Sequence, residues 1–264
     1  MKPSTDIEIP CNRLSSSRWF LAVRCLALVS GALLVSATRA APPAPFAAEY
    51  EARYGGFKAS AIRSLEHLAD GEIQMETMLA LKLLGKTISR VHEVSSLVTD
   101  SDSGALRPLS YSFDQTGLGS RSRSVVFDWD NAAAVAQSGR DENIIVLDGV
   151  AMDNLSAYLA LREQLLAGKT EVAFQGIDKG QLEEFHYRVI GEELLKTDAG
   201  AFRTVKLERV RDASSHRTTE IWLALDWDYL LIKLVQKEPG SNTISLELTK
   251  GAVDGKPVLG SEDA

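Results

Sequence analysis

Apolar and polar residues alternate along most of the chain, most clearly over 72–83. Ile73, Met75, Thr77, Leu79, Leu81 and Leu83 fall on one phase; Gln74, Glu76 and Lys82 fall on the other. A strand sends successive side chains to opposite faces, whereas a helix would scatter those apolar residues around its circumference. The same period predicts strands over 49–57, 58–68, 87–99, 109–113, 122–129, 132–137 and 144–147. It resumes over 171–175, 183–189, 202–210, 217–225, 229–237 and 243–248. Turn chemistry separates these runs: Asp70-Gly71, Ser103-Gly104, Asp130-Asn131, Ser138-Gly139, Asp198-Ala199-Gly200 and Pro239-Gly240-Ser241-Asn242.

One segment breaks the period. Residues 153–168 read as a helix, with Asp153 as N-cap and Gly168 just past the end. Leu155, Tyr158, Leu159, Arg162 and Leu166 make a stripe at helical spacing that needs an apolar surface to cover. The strands near the C-terminus are apolar on both phases: Ile221, Leu223 and Leu225 alternate with Trp222 and Ala224, and Leu230, Ile232 and Leu234 with Tyr229, Leu231 and Val235. A strand with one face in water does not look like this. The expected fold is therefore mainly β, an antiparallel curved sheet or half-barrel with one principal helix packed on it.

Composition adds the compartment. Residues 19–35 are mainly apolar and free of charge except for Arg24, and the run from Cys25 to Val35 suits a signal-peptide core of about eleven residues better than a span of about twenty. Small residues follow, and Ala40 or Ala37 marks the cut. The reading is a cleaved signal over 1–40, a Pro/Ala-rich linker over 41–48, one β-rich domain over 49–250 and a flexible tail over 251–264. An uncleaved anchor helix starting at Trp19 is the competing reading, and export to the periplasm is the expected localisation. Both cysteines, Cys11 and Cys25, lie in the leader, so a cleaved product has no disulfide, thiolate metal site or cysteine nucleophile. A lipoprotein anchor is excluded because Cys25 precedes the apolar run.

The formal charge is −7, and residues 1–40 carry five basic against two acidic side chains, which leaves −10 for the body. That charge argues against nucleic acid as a partner and against broad electrostatic attachment to anionic lipid.

Catalytic motifs are missing from the sequence. There is no G-x-S-x-G, phosphate loop, Rossmann glycine pattern or H-E-x-x-H. His67, His92, His186 and His216 are far apart, and no metal or cofactor is expected. Asp128-Trp129-Asp130 and Asp226-Trp227-Asp228 repeat one triplet; each reads first as a turn in which Asp caps the backbone and Trp packs, and second as a carboxylate pair for hydrolysis. The run Asp100-Ser101-Asp102-Ser103-Gly104 lacks the glycine position and terminal glutamate of a calcium loop.

Three segments carry a family resemblance. The stretch SAYLALREQLLAGK within the expected helix looks like a central helix followed by Gly-Lys; YRVIGEELLKTDAGAFRTVKLE, Tyr187 to Glu208, looks like a glutamate-rich turn leading to T-x-x-G-x-F; and EIWLALDWDYLLIKLVQ, Glu220 to Gln236, looks like a Trp-Leu and Asp strand signature. YEARYGGFKAS, Tyr50 to Ser60, fits an opening strand. Together they resemble the bacterial domain of unknown function 3108 family (DUF3108), which is periplasmic, and Leu231 stands where relatives often have proline. The resemblance implies a half-barrel like that of the lipoprotein-carrier proteins, with helices over its apolar concave face. It brings no catalytic residues.

The functional expectation is a non-catalytic binding or chaperone-like module for an apolar ligand, lipid or lipidated, with Leu79, Leu81, Trp222, Leu223, Tyr229 and Ile232 as lining residues. Its alternative is a protein-interaction module of envelope assembly without a ligand cavity. After signal cleavage no stable membrane anchor is expected.

Overall fold

Phe46 opens a meander in which each strand passes the chain to its neighbour through a tight turn. The computed structural model describes residues 41–55, 57–212, 214–240 and 242–261, so the expected leader lies outside the described residues. The first series is β1 (Phe46–Tyr54), β2 (Phe57–His67), β3 (Ile73–Leu83), β4 (Lys86–Thr99), β5 (Leu106–Gly117), β6 (Arg121–Asp128), β7 (Ala133–Ser138) and β8 (Asp141–Val146). Short β9 (Ala151–Met152) leads into helix α1 (Ala157–Leu166). The second series is β10 (Glu171–Asp178), β11 (Gln181–Thr197), β12 (Gly200–Val210), β13 (Thr218–Ala224), β14 (Leu231–Lys237), β15 (Ile244–Val253) and β16 (Lys256–Pro257).

The two series join where β15 pairs with β1, giving one sheet in the order β8 through β1, then β15 down to β9. Every pairing is antiparallel except β9 with β10. Twisted strands curl so long a sheet, and Asn143 Nδ2, on end strand β8, donates to the carbonyl of Gly180 in the β10–β11 turn at 3.5 Å. The result is an open, curved half-barrel with one helix.

Antiparallel order collects the turns at two ends. The β1–β2, β3–β4, β5–β6 and β7–β8 turns share one end with the β14–β15 turn, because Tyr54 pairs with Ile244. Turns 68–72, 100–105 and 129–132 lie at the other end, with α1 and the 225–230 turn. We call these the rim end and the helix end.

The inner phase matches the alternation. Phe46, Leu65, Met75, Ser95, Tyr111, Val125 and Ala136 stand in register across β1 to β7, and all are buried, most of them in one core with α1. The helix is held at both ends. Asp153 Oδ1 accepts from the amides of Leu155 and Ser156 at 2.8 and 2.9 Å, and Ser156 Oγ accepts from the Asp153 amide at 2.9 Å. At the C-terminus Gly168, at φ +74°, lets its own amide reach the Leu165 carbonyl and the Lys169 amide reach that of Gln164.

Several boundaries differ from expectation. The regular helix begins at Ala157, four residues after its capping Asp153. Leu166, expected in the buried stripe, is exposed, while Tyr158, Leu159, Ala160, Leu161, Arg162 and Leu165 are buried. The helix is enclosed around most of its circumference, so no single stripe describes it. The expected linker over 41–48 shortens, because Phe46 and Ala48 already lie in β1 with buried side chains. The expected flexible tail is corrected over 251–261. There β15 runs on to Val253, the chain turns into β16, and Ser261 bridges to Ala201. Val253 and Val258 drive this by burying apolar surface that the tail reading left in water.

Candidate functional site

At the helix end the concave face is filled. Arg162, itself buried, sends Nη2 and Nε to the Asp228 carboxylate at 2.6 and 2.9 Å and Nη1 to the Ala41 carbonyl at 3.1 Å. Asp228 Oδ2 also accepts from the Ala44 amide at 2.8 Å. One ion pair thus ties α1 to the β13–β14 turn and to the segment before β1. Tyr158 packs edge-on against Phe46, and its hydroxyl donates to the Tyr229 carbonyl at 3.0 Å. The gap left between these groups is too narrow for a water molecule. Ligand pockets run to about 300–1,000 Å³, so an acyl chain does not fit here.

One step along the strands toward the rim, the inner phase changes character. Arg63, Thr77, Glu93, Phe113 and Arg123 stand in register across β2 to β6. Arg63 lies 5.1 Å from the Tyr158 ring centre and donates to the Leu155 carbonyl at 3.2 Å. Tyr111 hydroxyl donates to Glu93 at 3.4 Å, and the guanidinium of Arg123 sits 5.7 Å from the centre of the Phe113 ring. Beyond this belt come Ala61, Leu79 and Val91, then Ala59, Leu81 and Ser89. The inner wall therefore runs from a helix-filled floor through a charged belt to an apolar lip.

The belt's electrostatics follow from burial. Burial pushes the Glu93 carboxyl above the usual carboxylate range, a rise that the Arg63 guanidinium partly offsets and the nearby Asp153 reinforces. Asp153 is also raised by burial, although Ser95, Ser156 and the Leu155 amide all donate to it. Burial likewise raises the Tyr111 phenol. Arg63 Nε and Thr77 Oγ1 are buried and have no hydrogen-bond partner among the described residues. Buried polar atoms are rarely left so, and side by side on a concave wall they suit a polar ligand group.

The six lining residues inferred from sequence do not form one surface. Leu79 and Leu81 sit together on the lip and are half-buried. Leu223 and Ile232 are fully buried in the core. Trp222 faces the other side of β13, where its indole N–H donates to the Glu193 carboxylate and Lys206 Nζ lies 4.8 Å from its ring. Tyr229 belongs to the turn beneath α1 at φ +58°. Sequence reasoning passed over Arg63, Glu93 and Arg123. The available signal was charge on the inward phase of alternating strands.

The aspartate triplets work as turns. Asp128 accepts from the Asn131 amide and side chain at 3.1 and 2.8 Å, and Asp226 pairs with Arg203 at 3.1 Å. Trp129 and Trp227 donate to the carbonyls of Pro108 and Leu259. Asp100 is a capping residue too, accepting from the Ser103 amide at 2.7 Å. His67 bonds the Pro43 carbonyl, while His92 and His186 pair with Glu76 and Glu184. Among the described residues no three His, Cys, Asp or Glu side chains gather as a metal site, and no helix is long and apolar enough to cross a membrane.

A family model described as a protein of unknown function, DUF3108, matches residues 49–249. The chain belongs to the DUF3108 family. The match spans the whole meander from β1 into β15, so belt and lip are both within the DUF3108 region. A comparison with curated proteins finds no match. Among solved structures, the crystal structure of a beta-barrel-like protein of domain of unknown function DUF1849 from Brucella abortus is similar at a TM-score of 0.54 and 10% identity, over 81% of this chain and 99% of that one. At that identity the likeness concerns the fold alone, and it agrees with the half-barrel of this DUF3108 chain.

Proposed function

We propose that this DUF3108 protein is an exported, non-catalytic periplasmic module that binds an amphipathic ligand on the open part of its concave wall. The head group of the ligand is anionic and sits on the belt, between the guanidiniums of Arg63 and Arg123. Its apolar portion lies over Leu79, Leu81 and Val91. The observation that carries this reading is the step from charged belt to apolar lip on one wall, with the unpartnered Arg63 Nε and Thr77 Oγ1 inside it. Guanidinium groups recognise carboxylate and phosphate oxygens through paired hydrogen bonds. Glu93 between them, its carboxyl pushed above the usual carboxylate range by burial, opposes the anion less than an ordinary carboxylate would. The leader expected over 1–40 supports export, and of the six lining residues expected from sequence this reading keeps Leu79 and Leu81.

Titration with a fluorescent fatty acid tests this. The wild-type protein is expected to bind saturably, and Arg63→Met with Arg123→Met to weaken binding at least about tenfold, since a charge-assisted hydrogen bond contributes about 1.5–3 kcal/mol. Equal binding by wild type and the double variant would remove the belt from the account.

A second reading, a protein-interaction module, has its own support at the sheet edge. β8 ends the sheet, pairing with β7 alone among the described strands, and its Ile144 and Val146 are 73% and 78% exposed. An uncovered apolar edge accepts an added strand from a partner. Crosslinking from position 144 in cells tests it: a trapped protein supports strand addition, and none counts against it.

A further inference from the structure

Six of the seven turns of the first meander divide by charge, and the β7–β8 turn is mixed. At the rim end, residues 53–58, 82–87 and 117–121 carry Arg53, Lys58, Lys82, Lys86 and Arg121 and no carboxylate. At the helix end, turns 68–72, 100–105 and 128–132 carry Asp70, Glu72, Asp100, Asp102, Asp128 and Asp130 and no basic residue. The acidic whole therefore hides a strongly polarised half.

The rim turns also hold apolar side chains in water. Leu84 is 95% exposed, Leu118 69%, and Tyr54, Phe57 and Leu83 about half. They lie on three successive hairpins, side by side along the sheet. Leu84, at φ +50° ahead of Gly85, is turned out at the tip of its hairpin. Glu51 pairs with both Arg53 and Lys58 and offsets one of the five charges; Lys82 and Lys86 form no ion pair among the described residues. The other rim turns are mixed: Arg140 with Asp141, Lys179 with Asp178, Arg211 and Arg217 with Asp212, and Lys237 with Glu238.

We propose that the rim of the first meander docks on an anionic lipid bilayer, inserting Leu83, Leu84 and Leu118 among the acyl chains while Lys82 and Lys86 meet the head groups. A protein interface has a contiguous, flat apolar centre with charge displaced to its margin. Here the apolar groups are separate fingers with cations directly behind them, and Tyr54 and Phe57 are aromatics of the kind found at membrane–water interfaces. Only in the inverted pose would the six carboxylates of the opposite end meet that surface and be repelled, which orients the molecule; in the docked pose they lie a strand's length away, outside the screened field. Net charge misleads here because screening limits each charge to a range of about 10 Å. Docking in this pose turns the lip toward the bilayer, but the inference goes beyond the ligand reading and is tested apart from it.

The test is co-sedimentation with vesicles of phosphatidylcholine alone or containing phosphatidylglycerol. Protein is isolated after export from a Gram-negative host, so that every variant carries the same N-terminus, verified by intact mass. Wild type is expected to pellet with phosphatidylglycerol vesicles and to be released by salt. Each basic residue near an anionic surface changes affinity about fivefold, so Lys82→Glu with Lys86→Glu reduces it more than about twenty-fold. Leu83→Ser with Leu84→Ser reduces it at least about tenfold. Asp70→Asn with Asp102→Asn, at the far end, leaves it unchanged. All the rim and far-end positions are exposed in turns or at strand ends, and thermal melts verify folding. Absent binding, binding indifferent to lipid charge, or rim variants equal to wild type would overturn the proposal. So would capture of an acidic protein through the rim without vesicle binding.

Discussion

Arg162 shows how one residue can carry several elements. Its pair with Asp228 joins the helix, the β13–β14 turn and the 41–44 segment. Asp228→Ala leaves a guanidinium buried without its anion, and breaking such pairs costs about 3–5 kcal/mol. The Asp228 side chain is partly exposed, so we expect the lower end, about 3 kcal/mol, in urea denaturation. Arg162→Met should lose less, because it fills the space and leaves Asp228 reachable by water. Equal losses would contradict that partition. Glu93 makes a second prediction, with a definite sign. Its folded pKa is raised by burial, so the native state holds the proton more tightly than the unfolded chain, whose value is about 4.3. Stability from this group is full below that value and is lost as pH rises through the folded pKa. Glu93→Gln keeps an acceptor for Tyr111 and removes the titration. Its stability relative to wild type should therefore increase from about pH 4 toward neutrality. A difference that stays flat across denaturation curves at several pH values would rule Glu93 out as the titrating group.

At the scale of elements, α1 depends on its ends. Asp153→Asn retains the oxygen that accepts from Leu155 and Ser156, whereas Asp153→Ala abandons both amides in a buried place. The alanine variant should lose about 1–2 kcal/mol more than the asparagine variant in denaturant midpoint comparisons. Gly168→Ala, at φ +74°, should cost about 1 kcal/mol. Indifference to either change would mean that tertiary packing alone holds the helix. These caps were legible in sequence because capping needs particular residue types at particular places. The enclosure of the helix was not, since no local pattern separates a helix lying on a sheet from one wrapped by it; hence Leu166 and Leu165 changed roles. Strand phases were read correctly wherever alternation was unbroken, as in β3. Strand lengths were not: β5 runs through Pro108, and β11 runs through Gly191, Glu192 and Glu193, with register shifts beside each. Bulges carry a strand across residues that interrupt its pattern.

For the whole molecule, the alternating pattern led to the right class of sheet, and the resemblance carried by the helix and the two later segments led to the family. The site was only half legible. Leu79 and Leu81 enter the proposed wall because apolar excess on one phase is visible in a single strand. Arg63, Glu93 and Arg123 come from three strands and become one belt only through register, which a sequence does not display. Trp222 failed as a lining residue for the same reason: both phases of β13 are apolar, and only the neighbours Glu193 and Lys206 show which side the indole takes. The central claim is that belt and lip together hold an amphipathic molecule. Native mass spectrometry of the protein released gently from the periplasm tests this most directly. The account predicts a bound amphiphile as an added mass on the wild-type protein, lost from Arg63→Met with Arg123→Met. Bare protein mass for the wild type, under conditions that preserve non-covalent adducts, would contradict it.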